Sequence, residues 1–280
     1  MKLVFNWHIT QRCNYSCHYC FSEWHQCSEI WQTEEIAEKL ILEISDFNPG
    51  SDFMEFKRPP RLNFAGGEPL LLGRSLMKYL EMAKSGGLET SIITNGSLLK
   101  NNIEVVDNLD MMGISIDSLN HESNISIGRS CRGATLFMEE LQETVSNATA
   151  RNPSLRLKFN IVVNRFNWNR ILVEKLQYFS PYKIKILRQL PFKDQSGITD
   201  DEFLHFVNNN RTLCSNVVIE DTADMINSYL MINPAGRFFQ NGNPAEYKYS
   251  EPIHVVGINS ALKQITFDSA VFKSRYKETV

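Results

Sequence analysis

The sequence predicts an α/β fold: a partial (βα)6 barrel in which a curved sheet carries helices outside and lines a ligand-filled interior. Three observations predict it. Strand-like and helix-like runs alternate as far as residue 210, the order of a parallel sheet with crossover helices. Most strands have one polar face, whereas parallel strands covered on both sides are apolar nearly throughout. A loop with three closely spaced cysteines follows the first strand. An antiparallel sheet facing water would show the same alternation, but the intervening helices imply parallel crossovers. A curved sheet with a polar lumen satisfies both facts.

The elements follow in order. The first strand, 3–9, sets Leu3, Phe5, Trp7 and Ile9 against Asn6 and His8, because alternate residues share a face. A helix over 33–47 has Thr33 as its N-cap, with Glu34 and Glu35 in the first turn, where the helix dipole favours them. The second strand, 61–65, opposes Leu62 and Phe64 to Arg61 and Asn63, and the helix over 73–84 stops at Gly86 and Gly87. Strand 89–94 and helix 101–109 come next, then strand 111–117, with Ile114 and Ile116 opposite Ser115 and Asp117. Helix 134–150 leads to strand 155–163, where Lys158 and Asn160 share the polar face. Helix 168–179, strand 182–189 with Lys183 and Lys185, and helix 200–209 complete the repeat. Beyond it, 215–220, 227–232 and 236–240 read as short extended pieces, followed by helices near 258–264 and 268–276. Residues 1–210 are therefore expected to form the barrel, and 211–280 an extension closing it on the substrate side.

Composition bounds the function. With 280 residues, 42% hydrophobic and 22% charged, the chain can bury a sizeable core. A net charge of -3 gives no basic face for nucleic acid or a membrane surface. No apolar run reaches the about 20 residues a membrane helix needs, and MKLVFNW lacks a signal-peptide layout. Free thiols without a secretion signal place the protein in a reducing cytosol. A cytoplasmic monomer is expected.

The chemistry centres on NWHITQRCNYSCHYCF, where Cys13, Cys17 and Cys20 stand as C-x3-C-x2-C. A closed structural zinc site wants a fourth ligand, for which His8, His18 and His25 are available. An iron–sulfur cluster held by three thiolates leaves one iron open to a substrate or cofactor. Cys27, Cys131 and Cys214 are too scattered to hold a second cluster. At the next strand end, NFAGGEPL offers Gly66 and Gly67, where backbone can approach a ligand closely. IITNGS and SIDS, the latter followed by Ile127-Gly128-Arg129, end the third and fourth strands.

The three-cysteine loop, GGEP, ITNGS and SIDS with IGR together resemble the radical S-adenosylmethionine (radical SAM) family. More specifically, RLNFAGGEPLL, LKFNIVVNRFN, SPYKIKILRQL, NSYLMINPAGRFF and VVGI resemble the viperin-like nucleotide dehydratases, over most of the chain. The resemblance implies a radical SAM barrel with a [4Fe-4S] cluster on Cys13, Cys17 and Cys20. It implies SAM held by Tyr19, Gly66, Gly67, Glu68, Asn95, Ser115 and Arg129. It also implies a nucleoside triphosphate (CTP, UTP or GTP) held by Asn6, Arg61, Lys158, Lys183 and Lys185, with Tyr229 supplying or relaying hydrogen. Four cations from three strands pointing one way then have a use, since phosphates need charge-assisted donors.

The implied reaction takes hydrogen from C4′ and expels the 3′-hydroxyl as water. Its product, a 3′-deoxy-3′,4′-didehydro nucleotide, is a chain terminator in antiviral defence, and a flavodoxin- or ferredoxin-type protein supplies electrons. Departures from the family pattern are Ala65 in place of Ser, Asn241 in place of Cys, Arg61 in place of Lys, and SCRGA after Arg129. Two other functions compete. A radical SAM enzyme modifying peptide or RNA would call for a second cysteine cluster or a recognition domain. A non-catalytic zinc-stabilised module would call for a fourth ligand.

Overall fold

Ten strands form one sheet in the computed structural model, which describes residues 1–22, 27–48, 56–191, 197–211, 216–240 and 247–275. They are β1 (Lys2–Thr10), β2 (Lys57–Gly66), β3 (Glu89–Thr94), β4 (Met111–Ser115), β5 (Arg156–Val163), β6 (Lys183–Arg188), β7 (Val217–Glu220), β8 (Leu230–Ile232), β9 (Arg237–Phe239) and β10 (Tyr249–Pro252). Their order is β10-β9-β8-β1-β2-β3-β4-β5-β6-β7. Neighbours from β1 to β7 are parallel, and β8 joins the other side of β1, also parallel, through Phe5–Leu230, Asn6–Met231 and Trp7–Ile232. β9 and β10 continue antiparallel. The chain after residue 211 thus supplies strands to both flanks of the sheet.

The helices are α1 (Glu34–Ser45), α2 (Arg74–Ser85), α3 (His121–Ile127), α4 (Met138–Arg151), α5 (Val173–Gln177), α6 (Asp200–Arg211), α7 (Thr222–Met225), α8 (Ile253–Val256), α9 (Ile258–Leu262) and α10 (Ser269–Ser274). Their apolar stripes pack on the outer face of the sheet. Phe5, Trp7, Leu62, Phe64, Ile92, Ile114, Phe159 and Ile184 are fully buried there, with Leu40, Ile44, Leu80 and Phe206 from the helices. The inner face carries the polar alternates. It also carries a separate small cluster of Met231 and Phe239, with Phe21, Cys27, Tyr229 and Tyr247 against it. Among the described residues no helix is long and apolar enough to cross a membrane.

Several local expectations change. Thr33 sits extended before α1, but its side chain makes no capping bond. The expected helix 101–109 is a 3-10 segment, Leu99–Asn108, broken at Asn102. There the Asn102 amide donates to Leu98 O at 2.8 Å, a local bond that competes with the helix ladder. Helix 168–179 shrinks to α5, because residues after β5 are spent on a turn in which Asn167 Oδ1 accepts from the Asn164 N–H at 2.7 Å. Helix 134–150 begins only at Met138, after a Cys131–Ala134 bridge. The short α3 was not expected. The Asn120 side chain caps it by accepting from the Ser123 N–H, and Gly128, at φ 85, ends it.

Candidate active site

β1 runs directly into the cysteine loop, which is held from three sides. Glu29, buried, accepts from the Thr10 hydroxyl at 3.0 Å, the Gln11 N–H at 2.7 Å and the Trp31 indole at 2.6 Å. On the second side, the Gly67 N–H donates to Thr10 O at 2.7 Å and the Glu68 N–H to Arg12 O at 2.8 Å. A Cβ on Gly67 would fall 2.1 Å from Arg12 O, and one on Gly66 2.4 Å from Thr10 O. These glycines therefore let backbone pack on backbone. On the third side, the Ser16 and His18 N–H groups donate to Gly128 O and Ile127 O at 3.0 and 3.1 Å. A Cβ on Gly128 would meet Ser16 O at 2.2 Å.

Cys13, Cys17 and Cys20 form no disulfide and lie within electrostatic reach of one another. Burial pushes the Cys17 thiol up to about 12. Among the described residues, no three His, Cys, Asp or Glu side chains converge on a single metal ion. Moreover, His8 is packed against the rings of Phe21 and Phe239, and His18 turns Nδ1 to Ile127 O. His25 and Asn241 lie outside the described residues. Three separated thiols fit the corners of a cluster, and neither His8 nor His18 completes a tetrahedral zinc site.

The expected cofactor residues divide into two groups. Asn95, Ser115 and Arg129 line one small cavity with Tyr15 and Asn124. Asn124 Oδ1 is buried there without a hydrogen-bond partner, and it fits a donor such as a ribose hydroxyl. Arg129 also serves internal partners: Asp117 at 3.4 Å, Tyr19 Oη at 3.3 Å and the Ser115 carbonyl. Tyr19 donates to Asp117, so that carboxylate joins the cysteine loop to β4 and, through the Val162 N–H at 2.8 Å, to β5. Glu68 belongs to the second group, with the two glycines. Fully buried, it accepts from the Leu70 and Asn95 N–H groups and the Thr94 hydroxyl, and ties the ends of β2 and β3.

Deeper in the lumen, Asn6, Asn63 and Ser91 bond in a line across β1, β2 and β3, at 2.9 and 2.8 Å. The expected cations do converge. Lys158 stands in register with Lys183 on β6, and Lys185 is the next inward position along that strand. Burial, then Lys185, Arg61 and Lys183, push the Lys158 amine well below its usual range, against Glu220. Two carboxylates that the sequence reading passed over belong to this cage. Glu89 binds Lys2 at 2.7 Å, Arg61 at 3.4 Å and Arg156 at the strand beginnings. Burial alone would raise its carboxyl, but these cations hold it at about 2. Glu220 meets Lys185, Tyr229 and Arg275. A carboxylate ending an apolar strand was the visible signal for Glu220; Arg275, just past the end of α10, had none.

Residues 7–171 match the Radical SAM superfamily model. A protein of Fibrobacter sp. named S-adenosylmethionine-dependent nucleotide dehydratase is 39% identical over 98% of this chain and 88% of its own length. One of the same name from Pseudoalteromonas ulvae is 36% identical over 99% and 93%. Among solved structures, native anSMEcpe with bound AdoMet superposes with TM-score 0.67 over 98% of this chain and 84% of its own, at 14% identity. Streptococcus suis SuiB gives 0.58 over 85% and 59%, also at 14%; both show the fold alone. With its thiols, glycine cradle and barrel in the arrangement described, the chain belongs to the radical SAM superfamily and, within it, to the S-adenosylmethionine-dependent nucleotide dehydratases.

Proposed function

We propose that this enzyme dehydrates a ribonucleoside triphosphate (CTP, UTP or GTP) to its 3′-deoxy-3′,4′-didehydro form. The observation that carries the substrate class is the set of cations Arg61, Lys158, Lys183 and Lys185 on β2, β5 and β6, three of which lie close enough to the fourth, Lys158, to push its amine down. A triphosphate brings about four negative charges and gains most from several charge-assisted donors in a site of low dielectric. Cys13, Cys17 and Cys20 would hold the [4Fe-4S] cluster, and Asn95, Ser115, Asn124 and Arg129 would border SAM. When bound, this pair supplies the hydrogen-abstracting radical chemistry and its electrons.

The chain's own residues bind, orient and handle a proton. The cations fix the triphosphate, and the Asn6–Asn63 pair borders the sugar above it. Water leaving the 3′ carbon needs a proton. Tyr229 Oη, which accepts from Lys185 Nζ at 3.0 Å and donates to Glu220, is suited to relay one. The product lacks the hydroxyl that a polymerase extends, which gives it the character of an antiviral chain terminator. The setting we assign is a cytoplasmic monomer fed by a flavodoxin- or ferredoxin-type donor.

The test is direct. Reduced, cluster-loaded protein is incubated with SAM and each nucleoside triphosphate in turn, and 5′-deoxyadenosine and the dehydrated nucleotide are measured by mass spectrometry. At least one nucleotide should stimulate SAM cleavage and lose one water. Cleavage that ignores all of them, or responds instead to a peptide or RNA, sinks the proposal.

A further inference from the structure

Glu220 is a carboxylate in a chamber otherwise furnished with cations. Its side chain is 0% exposed, and those of its partners Lys185 and Arg275 are 6% and 2% exposed. One oxygen takes both the Lys185 ammonium and Arg275 Nε, the latter at 3.0 Å, while the other accepts from Tyr229. Lys185 also donates to Tyr229 Oη at 3.0 Å. The Arg275 guanidinium lies 3.6 Å over the Tyr229 ring centroid and bonds Ser228 Oγ at 2.7 Å. Four residues from β6, the end of β7, the segment before β8 and the end of α10 thus make one buried knot.

An anion is a poor neighbour for a phosphate, so its presence needs a reason. Lys185 is faced by Arg275 just after α10, Arg61 from β2, Lys158 from β5 and Tyr229 before β8, with Lys183 two residues back on its own strand. Glu220 is an acid in direct contact with it. We propose that Glu220 is a positioning residue that keeps Lys185 charged and aimed for the nucleotide's phosphates. The inference rests on the reading of the lumen as a triphosphate site. Its physical basis is that a buried ammonium crowded by like charges sheds its proton unless an anion stands beside it. Even with Glu220 in place, burial has lowered Lys185 to about 8.

The experiment compares nucleotide binding by calorimetry at pH 6.5 and 8.5. It uses cluster-loaded protein without reductant, with CTP, UTP and GTP as probes, so no turnover is needed. Relative to wild type at the same pH, Glu220→Gln should bind roughly tenfold more weakly at pH 8.5 and nearly equally at pH 6.5, because each pH unit below which Lys185 titrates costs tenfold. Arg275→Gln removes a repelling cation and leaves the acid, so at pH 8.5 it should bind at least as tightly as wild type, the opposite direction to Glu220→Gln. A Glu220→Gln protein that tracks wild type at both pH values, or binds more tightly at both, overturns the inference.

A second test does not depend on that variant folding. At pH 6.5, where Lys185 beside Glu220 is charged before the nucleotide arrives, Lys185→Arg should leave the number of protons taken up on binding unchanged; a loss of one proton there overturns the inference. Wild-type protein that binds none of the three nucleotides would refute the triphosphate site itself, a result distinct from either of these.

Discussion

Lys158 shows what a single residue contributes to the cage. Its amine is held below the usual lysine range by burial and by Lys185, Arg61 and Lys183. A bound polyphosphate reverses that field. The sign follows: the free protein carries fewer protons on Lys158 than the complex, so binding takes up a proton and affinity falls as pH rises. Calorimetry in two buffers of different ionisation enthalpy should show net uptake near pH 8, and Lys158→Ala should reduce it, Lys185 supplying the remainder. Lys158→Ala and Lys185→Ala should each raise the nucleotide KM by roughly ten- to a hundredfold, the worth of one charge-assisted bond, with iron content unchanged. These lysines were legible because a strand's period of two assigns faces. The role of Glu220, visible only as a carboxylate ending an apolar strand, and Arg275 altogether were not, because the contact that defines them joins β7 to the residue after α10 through the tertiary fold alone.

At the scale of elements, the cysteine loop depends on two backbone contacts that exclude a side chain. Gly67→Ala and Gly128→Ala should each lower iron content after anaerobic reconstitution, read as absorption near ~400 nm, because the added methyl meets Arg12 O or Ser16 O. Cys17→Ala should lose the cluster outright. The glycines were legible as places of close approach, and the structure adds the loop backbone as one thing they approach. Below the lumen, Glu89 binds three cations from β1, β2 and β5. Glu89→Ala should cost about 1–3 kcal/mol, less than a fully buried pair because Lys2 and Arg156 are part-exposed, and a thermal melt measures it. Strands were more legible than helices here. Alternation marks a strand directly, whereas α3 is too short for a helical period and Asn-rich segments such as 99–108 divert their own backbone bonds.

For the whole molecule, acid is the informative perturbation. Glu89 and Glu220 both have carboxyls held at about 2. Folded values depressed below the unfolded ones contribute stability that is full above about pH 4.5 and lost as pH falls towards 2. Urea midpoints should therefore drop between pH 5 and 3, less so in Glu89→Ala. The parallel sheet with outer helices was legible because six alternating units leave little choice of topology. The route of the last 70 residues was not: whether they would cap the lumen or join the sheet depends on which edge of β1 stays open, and no local pattern reports that.

The seating of β8 beside β1 has a consequence for how the protein is made. A strand completed among the earliest residues waits, with one flank bare, until residue 230 has left the ribosome. The thiol loop springs from the end of that same strand, so although Glu29, Gly67 and Gly128 hold it earlier, its support is complete only when that flank is filled. Metal delivery during translation would meet a half-built cradle; delivery after release would meet a finished one.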